Sequence, residues 1–172
     1  DKKCGGRECF GLYYSQKMNG RWAEPRRMSA PVNSEYSEFG PIILADGRTL
    51  LFSSTRPGGF GGYDLYKTEM MDNGRWSDPV NLGDTINTGA DDRLASVPAA
   101  GDIMYISKPD SKGRFRIVKV RIPEKLRQTS VMAVAGIVSD KNDPEKKLES
   151  EITVTDVETR VDYVIKSNAD DG

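Results

Sequence analysis

Histidine is absent from the 172-residue chain, and cysteine occurs only twice, as Cys4 and Cys9. Without histidine, the chain lacks the usual general base and the commonest metal ligand. The two cysteines fit no zinc pattern, because such sites need paired motifs, and they are consistent either with a local disulfide or with two free thiols. The sequence therefore predicts no catalytic set, no metal site and no cofactor.

Long apolar runs and a charge excess are missing as well. No segment approaches the roughly 20 apolar residues that a membrane-spanning helix needs. The 25 basic residues are balanced by 26 acidic ones, and such a balance does not favour a nucleic-acid surface. We therefore expect neither a membrane-spanning segment nor a nucleic-acid partner.

Glycine, by contrast, is concentrated in the segment SSTRPGGFGGYDLY, which holds Gly58, Gly59, Gly61 and Gly62. A phosphate-binding loop would need a lysine or the start of a helix after the glycines, but residues 63–69 alternate like a strand. The pattern favours a tight connection between strands. We predict that Arg56 and Asp64 hold this loop through two parallel hydrogen bonds. A partner contact at Phe60, the tip of the loop, is the functional alternative.

An internal repeat is the strongest pattern in the chain. Residues 19–53 align without a gap on residues 73–107, a step of 54 residues from Asn19 to Asn73. Trp22 and Trp76 match in this alignment, and so do Asn33 and Asn87. Each unit contains four short strand patterns, which in the first unit are FGPIIL, TLLFSS, YDLYKTE and RWSDPVNL. Four-stranded units that repeat at this interval are typical of β-propeller blades.

Two groups of residues recur with the repeat. Trp22 and Trp76 follow an Asn-Gly turn, and we predict that they pack between units, because buried aromatic rings contribute strongly to cores; a sugar-stacking platform is the alternative. Two acidic residues precede the first strand of each unit. They fit either solvated turns or a contact for a cation or basic peptide, and the second interpretation makes them candidate partner-binding residues: Glu35, Glu38, Asp91 and Asp92.

The segment GPIILADGRTLLFSSTRPGGFGGYDLY resembles the WD40-like propeller repeat called PD40. That repeat has an apolar strand, Asp-Gly, a second apolar strand, Ser-x-Arg-x-Gly-Gly and Asp-x-Tyr. Asp46-Gly47, Arg56 and Asp64 stand at those places. The family includes TolB-like periplasmic propellers, and the version with Asn-Gly-x-Trp resembles the subset in envelope proteins that end in an OmpA-like domain. The second unit departs from the pattern, with Asp110 and Arg116 in swapped order.

Composition changes after Pro123. Residues 124–130 form a polar connector, and residues 131–172 alternate as strands that resemble the start of a carboxypeptidase-regulatory-like domain, a small transthyretin-like β-sandwich. We therefore expect an all-β chain with an incomplete propeller over residues 1–123 and a partial sandwich over residues 131–172. The propeller part would contain the end of one blade and two further blades, at about 35–88 and 89–123.

The resemblance implies a non-catalytic protein-interaction or scaffold module in the bacterial periplasm or outer membrane. Both ends look cut, so we expect a fragment of a longer OmpA-family lipoprotein that contacts peptidoglycan only through a domain outside this sequence. One alternative is the propeller of a hydrolase such as a prolyl-oligopeptidase-like peptidase, although the sequence lacks Gly-x-Ser-x-Gly and histidine. A propeller that binds a small ligand or carbohydrate is the other alternative.

Overall fold

The structure is a computed structural model, which describes residues 3–4, 7–110, 112–129, 131, 137–155 and 160–167. Within these ranges the chain is all-β: it has no α-helix, and one short 3-10 helix lies at Glu124–Leu126. The strands are β1 (Lys3–Cys4), β2 (Arg7–Glu8), β3 (Tyr13–Tyr14), β4 (Lys17–Met18), β5 (Arg21–Trp22), β6 (Arg26–Arg27), β7 (Glu38–Ile43), β8 (Thr49–Ser54), β9 (Asp64–Glu69), β10 (Val80–Asn81), β11 (Ala95–Ser96), β12 (Ile103–Pro109), β13 (Phe115–Arg121), β14 (Glu151–Thr155) and β15 (Asp162–Lys166).

The chain divides into two units, Asp1–Met132 and Ala133–Gly172. The described part of the second unit contains the antiparallel pair β14–β15, in which Glu151 pairs with Lys166 and Thr155 with Asp162. Ser167 extends this hairpin, because its hydroxyl accepts a hydrogen bond from Ser150 N at 2.9 Å. The first half of the strand predicted at residues 133–140, and the turn predicted at 168–172, lie outside the described residues.

The first unit is centred on a four-stranded antiparallel sheet with the order β10-β9-β8-β7. The predicted Asp-Gly turn joins β7 to β8, with Gly47 at a φ of 66°. Burial alone would raise the pKa of the Asp46 carboxyl, but hydrogen bonds from Thr49, Arg48 and Thr129 outweigh it and hold that pKa below 3.8. The turn is thus stabilised by an ionised carboxylate.

A second sheet, with the order β11-β12-β13, contains three strands where the sequence predicts four. In the described part of the chain, no strand pairs with the outer edge of β13. After β13 the chain remains bonded on the β12 side, where Ile122 N donates to Asp102 O at 2.9 Å. Ile122 is buried, and Pro123 then precedes the 3-10 helix.

Residues 124–130, predicted to be a connector, pack against the first unit where the structure describes them. The ammonium of Lys67 donates to Arg127 O at 2.8 Å, and the buried Gln128 side chain donates to Ala99 O at 2.6 Å. Leu126 contacts the apolar cluster between the two sheets. These residues therefore form part of the first unit.

The central strand β8 is buried along its whole length and serves two apolar clusters. Leu51 joins Leu65, Met104 and Ile106 in the cluster between the two sheets. Its neighbours Leu50 and Phe52 point the other way, because side chains alternate along a strand, and they pack with Leu12, Met28, Val32 and Tyr66. The segment before β7 therefore covers one face of the first sheet, and the second sheet covers the other.

Candidate functional site

The glycine loop folds around the Asp64 carboxylate. Its Oδ2 accepts hydrogen bonds from Phe60 N at 2.6 Å and from the Asn81 side chain at 3.0 Å, and its Oδ1 accepts one from Gly61 N at 3.2 Å. A Cβ atom at Gly59 would overlap this carboxylate, and one at Gly61 would overlap the carbonyl oxygen of Ala90. Glycine is therefore needed at both positions to allow close approach.

The predicted pair between Arg56 and Asp64 does not form. The Arg56 guanidinium instead lies 3.3 Å from Oε1 of Glu38 and donates to Val32 O at 2.7 Å. It also stacks over the rings of Phe52 and Tyr66, at 5.2 and 5.1 Å from the ring centroids. Glu38 lies on β7, the neighbour of β8 in the sheet, so pairing across strands replaces the local pair that the motif spacing suggested.

The second repeat builds the same arrangement with different side chains. Asp92 occupies the place of Glu38, with Lys108 Nζ 4.0 Å from its Oδ1. The Lys108 ammonium donates to Ile86 O at 2.6 Å, as Arg56 does to Val32 O. Each repeat thus buries one carboxylate beside one cation, and the cation also binds the loop carbonyl of its own unit.

Burial corrects the interpretation of two predicted acids. Glu38 is 1% exposed and Asp92 is 0% exposed, so neither is a solvated turn residue or a contact open to a partner. Their neighbours Glu35 and Asp91 are more accessible. Asp91 accepts a hydrogen bond from Tyr63 N at 3.0 Å and forms an ion pair with Arg93 at 2.5 Å.

The swapped charges of the second repeat do pair. Arg116 Nε donates to Oδ2 of Asp110 at 3.2 Å, and Arg114 contacts the same oxygen at 2.9 Å. Hydrogen bonds from the Arg114 backbone and other donors lower the pKa of this carboxyl, although partial desolvation opposes them. The local pair that the sequence predicts at Arg56 and Asp64 is thus present only where the order of the charges is reversed.

The two tryptophans lie in different environments. Trp76 packs against the cluster that contains Phe52 and Tyr66, and it forms a bridge with Met70. Trp22 is 70% exposed on the small β4–β5 hairpin, so the packing role predicted for it is wrong in this structure.

A row of aromatic side chains lies on the surface of the first unit, where the glycine loop meets the second repeat. Phe10 packs edge-on against Phe39 with ring centroids 6.1 Å apart, and Phe39 packs edge-on against Tyr63 at 6.5 Å. The Arg93 guanidinium lies over the Tyr63 ring at 4.6 Å. We call Phe10, Phe39, Tyr63 and Arg93 the aromatic row; sequence reasoning missed all four.

The repeat generates the aromatic row. Glu38 N donates to Phe10 O at 3.0 Å, and Asp92 N donates to Tyr63 O at 2.7 Å. Phe10 therefore corresponds to Tyr63, and Phe39, which follows the first buried acid, corresponds to Arg93. The aligned repeat places Phe39 opposite Arg93, but these residues differ in chemistry, and Phe10 lies outside the aligned segment 19–53.

An open cavity of about 370 Å³ lies next to the Arg93 end of the row and is lined by Asp91, Arg93, Leu94, Ser107 and Phe115. Its walls are mainly apolar, and Asp91 and Arg93 contribute charged groups to its lining. Such a surface can accept an apolar side chain while the guanidinium binds an acceptor group. Phe60, at the tip of the loop, is also exposed.

No family model matches the chain, and neither the curated proteins nor the solved structures contain a match. In the part of the chain that the structure describes, no helix is long and apolar enough to cross a bilayer. No cluster of three or more metal-ligating side chains occurs among the same residues. Cys9 is disulfide-bonded.

Proposed function

We propose that this chain is a non-catalytic protein-interaction module and that the aromatic row is its contact surface. The observation that carries the proposal is the exposure of the row: Phe10 is 58% exposed and Phe39 is 38% exposed, although both are large apolar side chains. Contiguous exposed apolar surface marks interaction sites in soluble proteins. Aromatic residues and arginine are also the residue types enriched at protein interfaces and their energetic centres.

The row is preorganised for binding. Edge-to-face ring contacts and the Arg93–Tyr63 stack hold the side chains against one another, so a partner loses little side-chain entropy when it docks. The backbone beneath the row is fixed by Phe10 O and Tyr63 O, which accept the hydrogen bonds from Glu38 N and Asp92 N. These features support a rigid contact surface.

We further propose that the first unit consists of PD40-type propeller units and that the parent protein is an OmpA-associated lipoprotein of the bacterial outer membrane or periplasm. The repeated buried acid–cation pairs and the similar loop contacts in successive units support the propeller proposal. The disulfide at Cys9 supports an oxidising compartment, because disulfides persist in the periplasm and rarely in the cytosol. The second unit would begin the carboxypeptidase-regulatory-like sandwich.

Photo-crosslinking in cells tests the contact surface. We would place benzoylphenylalanine at position 39 of the parent protein and, as a matched control, at position 43 on the same strand, where Ile43 is also exposed. We expect a discrete crosslinked protein from position 39 and none from position 43. The Phe10→Ser variant should reduce the crosslink from position 39.

Two results would contradict this proposal. Equal crosslinking from positions 39 and 43 would show that the row has no special role. Turnover of a peptide or glycoside by the purified chain would favour the hydrolase alternative, provided that the activity persists through purification and is lost in a variant of the chain.

A further inference from the structure

An asparagine in each repeat clamps the backbone of the preceding strand segment. Leu12 N donates to Asn33 Oδ1 at 2.7 Å, and Asn33 Nδ2 donates back to Leu12 O at 2.8 Å. In the next repeat, Leu65 N donates to Asn87 Oδ1 at 2.8 Å, and Asn87 Nδ2 donates to Leu65 O at 3.0 Å. Both asparagines are buried. We call this two-bond contact the asparagine clamp.

Ile117 is the residue of the second sheet that corresponds to Leu65. Leu65 pairs with Ser53 across β8 and β9, and Ile117 pairs with Ser107 across β12 and β13. Ser107 N donates to Leu94 O on the far side of β12. Residues that face each other in an antiparallel pair point their backbone groups in the same sense, either towards each other or apart. The N–H and C=O of Ile117 therefore point outwards from β13, as those of Leu65 point outwards from β9.

The outer edge of β13 is open in the described chain. At the first sheet, this edge is covered by β10, and Leu82 N also donates to Leu65 O at 3.0 Å. At the second sheet, no described strand occupies the corresponding place. The side chain of Ile117 is 79% exposed, and that of Phe115 is 69% exposed. An apolar edge whose backbone groups have no partner among the described residues is a template for strand addition.

The positive charges on β13 favour an acidic segment as the occupant of this edge. Four cations lie on or beside β13, at Arg114, Arg116, Lys119 and Arg121. Two copies of β13 side by side would place cations against cations, which disfavours pairing with a second copy of this edge. By contrast, the segment that covers the first sheet, residues 77–92 (SDPVNLGDTINTGADD), carries four aspartates and no basic residue.

We propose that the outer edge of β13 binds an acidic partner segment of this repeat type. The segment would add a short strand beside Lys119 and clamp the backbone of Ile117 with an asparagine. Its pattern is the one that this chain contains twice: Val or Ile, then Asn, then Ser or Thr, with a carboxylate five residues after the asparagine, as in Asn33–Glu38 and Asn87–Asp92. The proposal rests on the repeat and its hydrogen bonds. It does not require the aromatic row, so either proposal can fail alone.

A labelled peptide that copies residues 77–92 tests this inference on the full chain by fluorescence anisotropy. We expect saturable binding, about tenfold weaker for a peptide with Asn87→Ala, because two hydrogen bonds are lost. A scrambled peptide of the same composition controls for charge alone. Charge reversal at Lys119→Glu should weaken binding, whereas Arg75→Glu, an exposed cation elsewhere, should leave it unchanged.

Amide hydrogen exchange then locates the peptide. Protection of the Ile117 and Lys119 amides, with Leu65 unchanged, would support the proposal; protection changes at Leu65 would show instead that the peptide displaces the chain's own segment. Equal affinity of the scrambled or Asn87→Ala peptide would overturn the clamp. No binding at micromolar concentrations would overturn the proposal as a whole, and so would dimerisation of the free chain through β13.

Discussion

Removal of the Glu38 carboxylate should destabilise the first unit strongly. The side chain of Glu38 is fully buried and that of Arg56 is 15% exposed, so Glu38→Ala leaves a buried guanidinium without its counter-charge. Breaking such a pair costs about 3–5 kcal/mol in the free energy of unfolding. For a chain of this size, that loss corresponds to a fall of about 6–20 °C in the melting temperature.

The geometry predicts which bonds are lost with the carboxylate. Oε1 of Glu38 accepts from the Ser34 hydroxyl, from Ser54 Oγ at 3.3 Å and from Arg56. Arg56 keeps its hydrogen bond to Val32 O, so its guanidinium loses only part of its acceptors. Glu38→Gln, which retains an acceptor oxygen without the charge, should give a loss between those of wild type and Glu38→Ala.

Urea unfolding followed by tryptophan fluorescence provides the measurement. Trp76 reports on the apolar cluster beside Arg56, and a Trp22→Phe background removes the signal of the exposed tryptophan. The double variant Glu38→Ala/Arg56→Ala should lose less unfolding free energy than the two single variants together, because the two residues interact. A Glu38→Ala loss below about 1 kcal/mol, or strictly additive losses, would refute the buried pair.

Further predictions concern the loop, the clamp and one turn. Asp64→Ala should accelerate amide exchange at Phe60. In urea unfolding, the loss of unfolding free energy caused by Asp64→Ala should add almost fully to the loss caused by Arg56→Ala, since the two residues do not pair. Asn87→Ala should cost about 1–3 kcal/mol in the free energy of unfolding, because it leaves the buried Leu65 N–H without its acceptor, whereas Leu65 O keeps the bond from Leu82 N. The lowered pKa of Asp46 means that its stabilisation is full above its ordinary value of 3.8 and is lost as pH falls through the folded value; the difference in unfolding free energy between wild type and Asp46→Asn should therefore vanish at low pH. ATP should not change the melting temperature.

The local sequence pattern predicted the main strands of the first sheet and the glycine loop as a tight connection between strands. The segments 39–44, 49–54 and 63–69 correspond closely to β7, β8 and β9, because alternation and turn residues are local properties. The partner of Arg56 was mispredicted because Asp64 is nearer in sequence, whereas Glu38 is brought close only by pairing of β7 with β8. Such long-range pairing leaves no local trace in motif spacing.

The contacts between repeats could not be predicted from the sequence either. Asn33 and Asn87 were visible as identities, but an asparagine in a loop commonly stabilises its own turn, so nothing indicated that each one reaches back to an earlier strand. The aromatic row was missed because its corresponding members, Phe39 and Arg93, differ in chemistry. Identical roles filled by unlike residues become visible only when the backbone is folded.

Each asparagine clamp binds the backbone of an earlier segment of the chain. This contact limits where the chain can be cut and how a repeat can be transplanted. Residues 77–92 complete the first sheet through Val80 and Asn81 and clamp Leu65 of the same sheet through Asn87. They also supply Asp92, which lies beside Lys108 of the second sheet. A cut or inserted segment between Asn81 and Asn87 would therefore damage two neighbouring sheets at once. Transplanting a unit requires a whole 54-residue step that carries its own clamp, and the transplanted clamp stabilises the strand upstream of the graft.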